Sequence, residues 1–79
     1  MTNLYRVAVF ARGEMIAEHM IKAPDALTAM NLVELEYGPA PRYEFTTVHN
    51  EDGTKERALI VHDWHGYTFL ARISKVFPA

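Results

Sequence analysis

The sequence contains no cysteine. That excludes disulfides and thiolate metal sites, and it fits a reducing compartment. A chain of 79 residues is then one domain that holds a small core by close packing or by association. Excess basic charge is missing too. Ten Asp and Glu face eight Lys and Arg, for a net charge of −2. A domain that grips phosphates is more often basic, so nucleic acid is not the expected partner. No apolar run approaches the ~20 residues of a membrane span. The opening stretch "MTNLYRV" lacks the charged-then-apolar pattern of a secretion signal, and the expected location is the cytoplasm. The one serine, Ser74, has no histidine near it in a nucleophile setting. Gly13, Gly38, Gly53 and Gly66 stand singly at turn or cap positions and form no phosphate loop. The carboxylates are scattered, with no acid/base pair among them. No catalytic residue, cofactor or enzyme activity is expected.

What is present reads as an α+β fold. "LYRVAVFAR" and "MIAEHMIKA" alternate as strands do, and "RGE" between them is a hairpin turn. A helix is predicted from Asp25 to Tyr37, with Asp25 as N-cap and Gly38 closing it before Pro39 and Pro41. "RYEFTTVHN", "KERALIVHD" and "YTFLARISKVF" supply three more strands, the first two joined at Asp52-Gly53. The predicted layout is β-β-α-β-β-β, one helix packed on a mostly antiparallel five-stranded sheet. Its expected core is Val7, Val9, Ile21, Ala29, Met30, Val33, Phe45, Leu59 and Phe69.

"VHDWHGY", Val61 to Tyr67, concentrates two histidines, an aspartate and the only tryptophan. A zinc site would recruit His62, Asp63 and His65, with His49 across the hairpin. Along a strand His62 and Asp63 point to opposite faces, so no metal site is expected. The segment reads instead as a strand end and a turn: Asp63 caps it, Trp64-His65-Gly66 reverse the chain. Trp64 either folds back over the edge of the core or stands out as a binding anchor.

Apolar residues exceed what one core face needs. Leu32 and Leu35 fall opposite the helix's core stripe of Ala26, Ala29, Met30, Val33 and Tyr37. Ala8, Phe10, Ile16 and Met20 fall on the sheet face away from the helix. Scattered exposed apolar residues are ordinary on a monomer, whereas a contiguous patch marks an interface. The expected contact set is Glu14, Glu18, Glu34, Glu36 and Asp63 around an apolar centre of Trp64 or of Leu32 and Leu35. The partner is another protein, or a second copy in a homodimer.

The run from Tyr5 to Gly38, "YRVAVFARGEMIAEHMIKAPDALTAMNLVELEYG", is an apolar hairpin, then Ala-Pro, a cap, an alanine-containing helix and a closing Tyr-Gly. It covers under half of the chain and resembles a pattern common in small proteins of phages and mobile elements. Several anti-CRISPR proteins, phage-encoded inhibitors of bacterial CRISPR systems, look like this. The resemblance implies a non-enzymatic inhibitor that binds a type I CRISPR surveillance complex and blocks target DNA binding. The carboxylates are too few for pure DNA mimicry. The alternative is a nucleic-acid-binding accessory protein that uses Arg6, Arg12, Arg42, Arg57 and Arg72 on its strands.

Overall fold

The computed structural model describes residues 2–76. The elements run β1 (Asn3–Ala11), β2 (Glu14–Ala23), α1 (Ala26–Tyr37), β3 (Glu44–His49), β4 (Lys55–Trp64) and β5 (Tyr67–Val76). Phe77, expected to end the fifth strand, lies outside the described residues. The sheet order is β2-β1-β5-β4-β3, and every pairing is antiparallel. The last strand therefore returns between β1 and β4. The helix carries the chain from one edge strand, β2, to the other, β3.

Each element ends where its sequence permits. Asp25 has an extended backbone (φ −151°) and accepts a 2.7 Å hydrogen bond from the Thr28 N–H. That bond holds its carboxylate below the usual range. At the other end the Gly38 N–H donates 2.8 Å to the Glu34 carbonyl, with Gly38 at φ 86°. The β1–β2 turn puts Arg12 at φ 53° and Gly13 at φ 81°, both left-handed, as a type I′ turn requires. The β3–β4 connection is wider than Asp52-Gly53 alone. The Asn50 N–H donates 2.8 Å to the Thr54 carbonyl, and the Asp52 carboxylate accepts 3.0 Å from the Thr54 N–H.

Val7, Val9, Met30, Val33, Leu59, Val61, Trp64, Phe69 and Ala71 form the main core between the helix and one sheet face. Tyr5, Ala23 and Ala29 extend it toward the start of the helix. Ala29 is small enough to bring the backbones close. Ile21 is half-buried against this core. Phe45 is not in it, being 60% exposed. It pairs with Leu59 and so shares the helix side, but β3 is an edge strand, and no contact between it and the helix is strong enough to bury Phe45. The Arg57 guanidinium covers the ring instead, 4.1 Å from its centroid.

Trp64 is 2% exposed and belongs to the core. The cause is an extra residue in β4. Val61 pairs with Phe69 and Trp64 with Tyr67, so three steps on β4 oppose two on β5. Strict alternation from the buried Val61 would turn Trp64 to the far face, and the bulge turns it inward. Asp63 supplies the left-handed residue of the bulge (φ 53°), in place of the expected turn cap. The turn itself is His65-Gly66, at φ 55° and 81°.

Candidate functional site

The described residues offer no enclosed pocket among their main clefts. One open cleft of about 250 Å³ is lined by Arg6, Arg72, Ile73 and Ser74. Another of about 340 Å³ lies along Phe45, Thr46, Thr47 and Arg57. No group of three His, Cys, Asp or Glu among the described residues is placed to hold a metal ion. The histidines are separated by their partners. His62 Nε2 lies 3.8 Å from Glu44. His65 Nε2 lies 2.5 Å from the Tyr37 carbonyl oxygen. His49 pairs with Lys55, at the far end of the β3–β4 ladder from His62. His19 Nε2 meets the Tyr37 hydroxyl at 2.8 Å, and the rings pack edge-on. Burial raises the pKa of that hydroxyl, and the neighbouring Glu36 raises it further. Tyr37 also packs edge-on against Trp64 and Phe69, so these contacts serve to seat the end of the helix.

The arginines do not form a basic stripe. Arg6 lies 3.5 Å from Glu18, and Arg42 lies 3.5 Å from Glu44. Arg72 donates to Glu56, through Nε at 3.1 Å, and to Asn50 at 2.8 Å. Arg6, Arg42 and Arg72 are thus each beside an acid, and Arg57, over Phe45 on the helix side, is on the other face of the sheet from Arg6 and Arg72.

The remaining feature is the outer face of α1. Leu27, Leu32 and Leu35 are all exposed, Leu35 at 84%. At 3.6 residues per turn the three span an arc of about 140°, with Leu35 at its middle. The buried residues Ala29, Met30 and Val33 occupy the opposite arc. Glu36 is exposed on one shoulder of this crest, above β2, where it lies 4.0 Å from His19. Glu34 occupies the other shoulder and is half-buried, contrary to the expectation that it is a free surface acid. Its carboxylate accepts 2.8 Å from the Ala40 N–H and also accepts from the Tyr43 hydroxyl. Burial and this acid together push the Tyr43 pKa up. Glu34 therefore fastens the loop after the helix.

The structure thus brings Leu32, Leu35 and Glu36 together and adds Leu27, which the sequence reading passed over. Glu14 and Asp63 are exposed at the end of the sheet that carries the His65-Gly66 turn. Glu18 is apart from them, on the face away from the helix and paired with Arg6. Trp64 is buried and cannot be an exposed anchor. Leu27 was legible as an i, i+8 mate of Leu35, with Asn31 between them. A comparison with protein-family models, with curated proteins and with solved structures finds no match to this chain.

Proposed function

We propose that this chain is a non-enzymatic protein-binding module. Its concrete form is an inhibitor that occupies a subunit of a type I CRISPR surveillance complex and keeps target DNA out. The observation that carries the binding reading is the leucine crest of α1. Three large apolar side chains stand together in solvent on a helix whose opposite face is already satisfied by the core. Such a crest gains free energy only when another surface covers it. The specific partner rests on the resemblance of Tyr5 to Gly38 to anti-CRISPR proteins.

Leu35, at the centre of the crest, is the anchor in this reading, with Leu27 and Leu32 excluding water around it. Glu36 beside the crest, with Glu14 and Asp63 at the neighbouring end of the sheet, steers encounter with a basic, DNA-binding surface. The apolar contact slows release. Leu35→Asp tests the surface. An anchor worth about 2 kcal/mol predicts roughly thirty-fold weaker binding to the purified complex, with the melting temperature lowered only by the modest cost of an acid in the last helical turn, because Leu35 is outside the core. Full affinity in Leu35→Asp would place the contact elsewhere.

A further inference from the structure

β2 stands at the edge of the sheet and pairs only with β1 among the described strands. It has ten residues and no proline, whereas the other edge, β3, has six. A long edge strand of this kind is a template for another strand. The register of β2 is broken at Ile16 and is then unbroken from Ala17 to Ala23. Met20 is the midpoint of that regular segment.

The segment is self-complementary about Met20. An antiparallel second copy, related by a two-fold axis through Met20, sets Glu18 opposite Lys22 of the second copy, and Lys22 opposite its Glu18. Ala17 then meets Ala23, His19 meets Ile21, and Met20 meets Met20. Glu18, Met20 and Lys22 are exposed and share the face away from the helix. Moving the axis to Glu18 opposes two glutamates, and moving it to Lys22 opposes two lysines. At His19 or Ile21 the axis sets Met20 against a charged residue. Only the Met20 register joins opposite charges without opposing like ones.

We infer that the chain forms a two-fold dimer through its β2 edges, continuing the sheet across both copies. In an antiparallel ladder, directly opposed residues lie on one face, so the two helices stand on the same side of the joined sheet. The dimer presents two leucine crests in one direction. This pairing involves β2 alone and is measured with no other protein present, so its failure and that of the proposed partner surface are distinguishable.

The test is sedimentation velocity on the full chain across the micromolar range, with circular dichroism as a check on folding. The parent sediments as a dimer. Glu18→Lys and Lys22→Glu each oppose like charges twice and weaken the dimer roughly ten-fold. The doubly exchanged variant, Glu18→Lys with Lys22→Glu, restores it. Met20→Lys, an exposed change that opposes two cations on the axis, weakens it as well and carries the test if a charge reversal perturbs folding. A parent that is monomeric throughout this range overturns the inference. So do single reversals that associate like the parent, or an exchanged variant that stays monomeric.

Discussion

Truncating Trp64 to alanine removes the largest fully buried side chain of the core. The ring lies 4.3 Å, centroid to centroid, from Phe69 and 5.9 Å from Tyr37. An aromatic side chain of this size buries up to ~250 Å², which at ~25 cal/mol per Å² bounds the transfer contribution near 6 kcal/mol. Measured truncations of Phe and Trp in cores cost about 3–5 kcal/mol, since the cavity relaxes in part. One feature pulls toward the lower end. Trp64 Nε1 is buried with no hydrogen-bond partner among the described residues, and an orphaned donor costs about 1–3 kcal/mol that truncation gives back. A loss near 3 kcal/mol is expected. A domain of this length has a total stability of about 4–12 kcal/mol, so the variant unfolds at much lower urea or not at all cooperatively. Far-UV circular dichroism against urea reads the loss without relying on the deleted fluorophore. Trp64→Phe keeps the ring contacts and drops the orphaned N–H, and its midpoint stays within about 1 kcal/mol of the parent. A Trp64→Ala midpoint equally close to the parent would refute the bulge as the device that buries this residue.

Three further outcomes follow from the same geometry. Glu34→Lys strips the acceptor from the Ala40 N–H and the Tyr43 hydroxyl and should cost about 1–3 kcal/mol in urea unfolding, whereas Glu36→Lys leaves stability near the parent. Arg12→Asn places a residue tolerant of left-handed backbone before Gly13 and should raise the unfolding free energy by several tenths to about 1 kcal/mol. The carboxyl of Asp25 is held below its ordinary pKa of 3.8 chiefly by the Thr28 N–H. Its stabilisation is therefore fully present above that value and is lost as pH falls through the lower, folded one. Asp25→Asn, which keeps an acceptor oxygen but cannot titrate there, should show a shallower decline in melting temperature over that acid window.

The elements were legible because their signals were local and agreed. Asp25 and Gly38 bracket the helix, and Arg12-Gly13 and the Asn50–Thr54 stretch join strands that alternate cleanly. Two positions escaped for reasons that are not local. Phe45 has the character of a core residue, but strand order puts it at an edge beyond the reach of the helix. Trp64 reads as a turn residue, with core edge and exposed anchor both open, because no local signal announces the one-residue bulge that keeps it in the strand and turns it inward. Part of the exposed leucine crest was readable. Leu32 and Leu35 stand off the core stripe by helical spacing alone. Glu34 looked like their equivalent in charge, and only the fold shows Tyr43 and Ala40 closing on it.

The measurement that bears most directly on the binding reading is a stoichiometric titration of purified type I surveillance complex with this chain. Target DNA binding is followed at complex concentrations well above the dissociation constant. A binding module blocks DNA with a break at a fixed whole-number ratio of chain to complex, and added time does not move the break. A block that deepens with time at far below one chain per complex means turnover. DNA binding that persists under saturating chain means a different partner. Either result contradicts the account.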